Sequence, residues 1–270
     1  AHLKAMIEAT KDIEDKVPEF KNETIVASYS KSVDLSEGAV IGERINPTGK
    51  KLMKEALRNK DMDYVLRQGI TQSEAGAHIL DVNMGLPEID EKEMLCSGVY
   101  ELQSVLPVPL QLDSGDAEAM EAALRLYNGK AMINSVNGKE KSMKEVFPLA
   151  KKYGGVVVCL CLDEDGIPST AQGRIAIAKK IIKRAAEYGI DKKNLAVDAL
   201  VMTISTDTNN AIETLNAVDY IRNTLGVNTV LGVSNISFGL PNREAVNTAF
   251  YTLAMSRGLS AGIINPNSRP

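Results

Sequence analysis

The sequence predicts an α/β protein built as a single (β/α)8 TIM barrel, and three observations carry that expectation. From about residue 39 to the C-terminus, short aliphatic runs alternate with segments of helical periodicity. Several of the runs end on an acid or an amide just before a helical pattern begins, the junction at which parallel α/β folds build ligand sites. The chain has 270 residues, close to the ~250 of a one-domain barrel.

The elements follow in order. Val40-Ile41 leads into Gly42, then come helical stretches through Lys54 to Leu57 and from Tyr64 to Ala75. His78 to Leu80 is the next strand and Glu91 to Val105 the next helix. Leu110 to Asp113 precedes a helix from Ala117 to Tyr127, with Asp116 as its N-cap. Ala131 to Asn134 precedes Ser142 to Tyr153, which Gly154-Gly155 stops. Val156 to Leu162 precedes Gly173 to Tyr188, with Gly189 as the stop. Leu195 to Asp198 precedes Asn210 to Leu225 and Gly226. Thr229 to Val233 precedes Glu244 to Arg257 and Gly258, and Ala261 to Ile264 is the last strand. This makes about eight strand units with seven helical segments between them, and the final helix is missing because the chain stops at Arg269-Pro270.

Residues 1–36 read as an N-terminal linker or extension: a helical pattern over 3–15 (Leu3, Met6, Ile7, Ile13), then a polar extended stretch to Ser36. The barrel is assigned to 37–270. With no Met at the start and no eighth helix at the end, both termini look cut from a longer polypeptide.

Composition narrows the function. The apolar share of 44% suffices for a full core, and with 4% aromatics and no Trp that core must be aliphatic. Net charge is −4, with 31 basic and 35 acidic residues and no basic block, which argues against nucleic acid. No apolar run approaches the ~18 residues of a membrane span and no signal peptide opens the chain. Three cysteines in a chain without secretory signs predict reduced, cytoplasmic thiols. Cys159 and Cys161 read as small core residues. Neither His2 nor His78 stands at ligand spacing from them, so no metal site is expected, and His78, opening a strand, reads as structural.

The polar strand ends are Glu43, Asp81 with Asn83, Asp113, Asn134, Asp198 and Asn235. Any one alone reads equally well as a cap or a hydrogen bond at the barrel mouth. Together on one rim they are harder to explain structurally, because a buried carboxylate costs several kcal/mol unless it is paired or hydrogen-bonded. A ligand with several N–H donors, such as a polar planar heterocycle, satisfies them. Ser234 and Ser237 lack a partnering His, no Gly-rich phosphate fingerprint occurs, and no strand run carries a Schiff-base Lys. Arg44 and Arg243 are candidates for a ligand's anionic tail, with a solvated or rim-pairing role as the default.

Gly42-Glu43-Arg44-Ile45-Asn46, Leu80-Asp81-Val82-Asn83, Met132-Ile133-Asn134-Ser135 and the run from Gly232-Val233-Ser234-Asn235 to Pro241 resemble the pterin-binding family. Within it they look like the methyltetrahydrofolate-binding domains of corrinoid-dependent methyltransferases, over roughly residues 39–266. Ala1 to Met6 resembles the tail of the homocysteine-binding barrel that precedes the folate barrel in cobalamin-dependent methionine synthases. The resemblance implies that Asp113, Asn134 and Asp198 hydrogen-bond the pterin, that Asn235 faces its N5, and that Glu43, Asp81 and Asn83 complete the pocket, to which Arg243 is added as the substrate-binding candidate for an anionic tail. It implies Asn235 and Asp198 as the catalytic pair, 5-methyltetrahydrofolate as substrate, cobalamin carried by a separate corrinoid-binding domain, and a homocysteine-binding domain as a further partner. The sibling dihydropteroate synthases carry a Lys on the seventh strand and Ser-x-Arg on the eighth, where this chain has Asn235 and Ile263-Ile264-Asn265. Some corrinoid methyltransferases carry a polar residue in place of Phe238. A free-standing methyltetrahydrofolate:corrinoid methyltransferase of one-carbon metabolism is the alternative reading, followed by a dihydropteroate synthase-like enzyme or a non-catalytic folate-binding module.

Overall fold

The computed structural model describes residues 2–14 and 23–268, so residues 15–22 of the expected linker lie outside the described residues. Helix α1 (His2–Thr10) leads, via this segment, to a hairpin of β1 (Ile25–Ala27) and β2 (Ser32–Asp34). Then strands and helices alternate: β3 (Ala39–Ile45), α2 (Lys51–Arg58), α3 (Met62–Glu74), β4 (Ile79–Val82), α4 (Glu91–Val105), β5 (Leu110–Asp113), α5 (Ala117–Leu126), β6 (Met132–Asn137), α6 (Glu140–Tyr153) and β7 (Val156–Leu160). The chain continues with α7 (Ala171–Glu187), β8 (Leu195–Asp198), α8 (Asn209–Tyr220), β9 (Asn228–Gly232), α9 (Arg243–Ser256) and β10 (Ala261–Ile264). Strands β3 to β10 are parallel neighbours, and β10 pairs with both β9 and β3, closing an eight-stranded (β/α)8 barrel.

Side-chain alternation along the strands divides the core in two. One set, including Ile41, Ile79, Met132, Val156, Val158, Ala196, Val230 and Ala261, fills the lumen. The other, with Leu80, Leu110, Leu112, Ile133, Val157, Val197 and Leu231, packs outward against the helices. Cys159 and Cys161 are free, buried and part of this outer layer.

The hairpin belongs to the lumen cluster, since Val26, Val33 and Leu35 are buried there and close the lower end of the barrel. Ala27 and Lys130 exchange backbone bonds of 2.9 and 2.8 Å, and Tyr127 Oη donates to Ala27 O at 3.0 Å while accepting from Leu110 N. Gly129 makes this approach possible: at φ +134° an added Cβ would stand 2.3 Å from Ala27 O. At the same end His78 Nδ1 accepts from Val40 N at 2.9 Å, a structural bond between β3 and the start of β4.

Local signals set most element ends. Asp116 accepts from Glu118 N at 2.8 Å and caps α5, and Gly154 stops α6 in the left-handed region. Four boundaries differ from the sequence expectation. The first helix ends at Thr10 rather than 15. Strand β7 ends at Leu160, where Leu162 N turns back onto Leu160 O at 2.8 Å. The pattern through Leu225 splits into α8 and a π turn, Ile221–Leu225. Strand β9 stops at Gly232, where a 3-10 turn, Val233–Ser237, begins. No described helix is long and apolar enough to cross a membrane.

Candidate functional site

The two-residue repeat that fills the lumen also builds its mouth. Two positions beyond Ile41, Ile79, Met132 and Ala196 on their strands come Glu43, Asp81, Asn134 and Asp198, and Asp113 stands two beyond the buried Gln111. Side chains that point inward at the lumen level therefore point inward again at the carboxyl rim. On β9 the equivalent place is Gly232. A Cβ there would lie 3.0 Å from Asn235 Nδ2, so the missing side chain makes room for the carboxamide arriving from the next turn.

The rim residues hold one another in small networks. Asp81, 4% exposed, accepts from Gln111 Nε2 at 2.6 Å and also bonds the side chain of Asn134. Asn83 Nδ2 donates to Asp113 Oδ2 at 3.0 Å, while its own Oδ1 accepts from Gly85 N. Asp113 and Asn134 are register partners across β5 and β6. Thus Asp81 fixes Asn134 and Asn83 fixes Asp113, leaving the latter pair half-buried at the opening. Beside them a cleft of about 350 Å³, open to solvent, runs out past Ser114, Asn137, Lys139 and Lys141.

On the far side, Asp198 is buried, and its Oδ1 accepts from Leu200 N at 2.7 Å. Glu43 Oε1 accepts from Ser234 Oγ at 3.1 Å, joining the end of β3 to the turn that bears Asn235. Asn235 itself is exposed at the mouth. Arg243, assigned from the sequence to the ligand pocket, is engaged with that same turn. Its Nε donates to Ser237 Oγ at 2.9 Å and Nη2 to Ser234 O at 2.8 Å, and its guanidinium lies 4.6 Å above the ring of Phe238, which is 51% exposed.

Burial dominates the electrostatics. It pushes the Asp81 carboxyl well above the usual carboxylate range, helped by the charge of Asp113 and opposed by Gln111 and Asn134. It raises Asp113, with Asn83 opposing, and Glu43, with the Ser234 hydroxyl and the Lys50, Arg44 and Arg243 charges opposing. Asp198 is pushed up to about 7 by burial, against the Leu200 N–H and the charge of Arg174. The rim thus holds several acids of shifted affinity around one opening, the pattern of a site that handles protons and N–H donors. No group of three or more metal-ligating side chains occurs among the described residues.

Three contributors escaped the sequence reading. Lys50 is half-buried close enough to Glu43 and Asp81 to feel both charges. Gln72, fully buried on α3, accepts from Arg44 N at 2.8 Å and shapes the end of β3. Gln111, fully buried within β5, donates to Asp81. A polar residue inside an apolar strand was the available signal for Gln111; Gln72 and Lys50 carry none.

The carboxylate–carboxamide mouth of the (β/α)8 barrel offers acceptors and donors that match a planar, donor-rich ring. The chain matches the profile of the pterin binding enzyme family over residues 42–265 and belongs to that family. It is 31% identical to the methylcorrinoid:tetrahydrofolate methyltransferase of Eubacterium limosum over 85% of this chain and 86% of that protein. It is 30% identical to the methionine synthase of Mycobacterium tuberculosis, across 98% of this chain but only 24% of that much longer protein. The methionine synthase of Mycobacterium leprae is 31% identical, over 84% of this chain and 20% of its own length. Among solved structures, a dihydropteroate synthase of Xanthomonas albilineans superposes with a TM-score of 0.71 at 20% identity, covering 90% of this chain and 92% of its own, a likeness of fold.

Proposed function

We propose that this chain binds 5-methyltetrahydrofolate at the barrel mouth and transfers its N5 methyl group to cob(I)alamin on a separate corrinoid-binding domain, as the folate module of a methionine synthase. The observation that carries the reading is the mouth itself. Asp113 and Asn134, each held by a neighbour, lie across the opening from Asp198 and the exposed carboxamide of Asn235. The similarity to a methionine synthase, which extends over the segment ahead of the barrel, supports the modular context, with a homocysteine-binding domain as the further partner and a cytoplasmic setting.

In this reading Asp113 and Asn134 hold the amino-pyrimidine edge, and Asp198 a further ring N–H. The N5 of methyltetrahydrofolate is a tertiary amine and a poor leaving group until it is protonated. The cobalt centre, when docked, supplies the nucleophile that accepts the methyl group. The chain's own task is the proton. Because burial brings Asp198 to about 7, its carboxylate can take up and release a proton at neutrality and so, with a water, relay one to N5. Asn235 accepts from the N5–H+ through its amide oxygen, a bond stronger in the transition state than in the ground state. Glu43, through Ser234, and Arg243, through Ser234 O and Ser237 Oγ, keep the Asn235 turn in place. The exposed Asn235 and Phe238 leave the mouth accessible to a large partner.

The test is to supply the chain with 5-methyltetrahydrofolate and free cob(I)alamin. Methylcobalamin and tetrahydrofolate should form, without methionine when homocysteine is added, and mixing with separate homocysteine and corrinoid modules should restore methionine. Methionine formed by this chain with no other protein would refute the modular reading. Transfer that needs no methionine-synthase modules at all, but a free-standing corrinoid protein, would favour the second reading, which the E. limosum relative supports. Folate binding without transfer would leave a binding module.

A further inference from the structure

Outside the mouth, the most unusual group is Arg174, on the first turn of α7 and fully buried. A guanidinium is rarely taken out of water without a carboxylate to pair with it. Arg174 instead grips backbone. Its Nε donates to Pro168 O at 2.9 Å, and Nη1 donates to Ala199 O at 3.2 Å, Leu200 O at 2.9 Å and Thr214 Oγ1 at 2.7 Å, while Nη2 has no hydrogen-bond partner. The one hydroxyl hydrogen of Thr214 is shared between Asn210 O at 2.9 Å and Leu200 O at 3.1 Å, so the Leu200 carbonyl is approached from α7 and α8 together.

The gripped segment is the turn that follows Asp198. Leu200 sits at φ +63°, a conformation that a residue with a branched, bulky side chain adopts only when its surroundings impose it. In that conformation its N–H meets Asp198 Oδ1 at 2.7 Å. The chain of cause runs from Arg174 and Thr214 through the Leu200 carbonyl to the Leu200 N–H and so to the carboxylate. Asp198 has few other charges around it. Arg174 comes from α7; the Cys161 thiol, in the loop after β7, is pushed well above its ordinary range by burial and stays neutral; the register partners, Leu160 on β7 and Val230 on β9, are apolar. Glu213 on α8 acts on the guanidinium rather than on Asp198.

We propose that Arg174 is a positioning residue for Asp198: it locks the Ala199–Leu200 turn so that the Leu200 N–H stays on the carboxylate and holds its charged form ready for the pterin. The proposal rests on Asp198 being a ligand-facing group in the reading above. It assigns to the α7–α8 layer, behind the barrel wall, a part in setting how the mouth handles protons. The Arg174 charge and the Leu200 N–H both favour ionisation of Asp198, against its burial.

The test reads the Asp198 carboxyl directly, by NMR titration of protein labelled with 13C at the aspartate carboxyls, with D198N used for assignment. In R174M the acid constant of Asp198 should fall at least tenfold. In T214V, a near-isosteric change that removes one anchor of the same turn and keeps the proposal falsifiable if R174M does not fold, it should fall about threefold. The affinity for 5-methyltetrahydrofolate should drop about fivefold or more in R174M at pH 7, where the ionised fraction falls from about one half to about one tenth, and the difference should narrow by pH 9 as Asp198 ionises in both proteins. A titration midpoint unmoved in both variants overturns the proposal, as does a loss of affinity equal at both pH values. If the wild-type protein does not bind 5-methyltetrahydrofolate, the folate reading fails, and the titration alone still decides the role of Arg174.

Discussion

Replacing Asp198 with Asn should make the fold more stable while impairing its function, and the size of the effect follows from burial. The carboxyl's ordinary value is 3.8, and the folded protein holds it at about 7. Because the folded value is raised, the neutral acid is the form that the fold prefers. Its contribution is complete below the unfolded value and is lost as pH rises through about 7. At about 1.4 kcal/mol for each tenfold change in acid constant, the fully developed penalty on wild type is about 4 kcal/mol. Asn resembles the neutral acid, offering an acceptor oxygen to Leu200 N and a donor where the acid has its O–H. The advantage of D198N over wild type should therefore be about 1.5 kcal/mol at pH 5 and about 4 kcal/mol at pH 8. Urea unfolding of both proteins at those two pH values measures it, and the other titrating groups, common to both, cancel in the difference. An advantage that does not grow with pH, or a variant less stable than wild type at pH 8, would refute the burial argument for Asp198.

Three other outcomes are expected. D113N should weaken 5-methyltetrahydrofolate binding at least tenfold by calorimetry, since the new amide must point its N–H at either the ligand's donor or Asn83 Nδ2, losing a charge-assisted bond worth about 1.5–3 kcal/mol; unchanged affinity would remove Asp113 from the site. N235A should slow methyl transfer in single-turnover kinetics more than it raises the dissociation constant, and a loss confined to affinity would make Asn235 a ground-state contact. G42A should cost about 1–3 kcal/mol in denaturant unfolding, because the new Cβ would stand 2.5 Å from Gln72 Oε1, which is fully buried and already bonded to Arg44 N; a stability equal to wild type would show that Gln72 can move aside.

The barrel was legible in the sequence because its signals are local. Aliphatic runs, helical periodicity, the Asp116 cap and the glycine stops each act within a few residues, and five strand or helix bounds (Glu91–Val105, Leu110–Asp113, Leu195–Asp198, Ala261–Ile264 and the Tyr153 end of α6) match the reading of the chain. The polar strand ends were legible for the same reason: an acid at the end of an apolar run is visible without knowing what faces it. Alternation with period two then places Glu43, Asp81, Asn134 and Asp198 on the inner face, as the lumen residues two positions before them require. Only the closed barrel decided how these residues divide their work. Asp81 bonds Gln111 from β5 and Asn134 from β6, Glu43 meets Ser234 from 191 residues away, and Arg243 bonds the turn that bears Asn235. The hairpin under the barrel and the buried Arg174 were likewise invisible, for a polar extended stretch and one arginine in a helix look like surface in a linear reading. Hydrophobic periodicity records which face of an element is buried. Which polar groups meet there is set by strand register and barrel closure, and those arise only when distant segments come together.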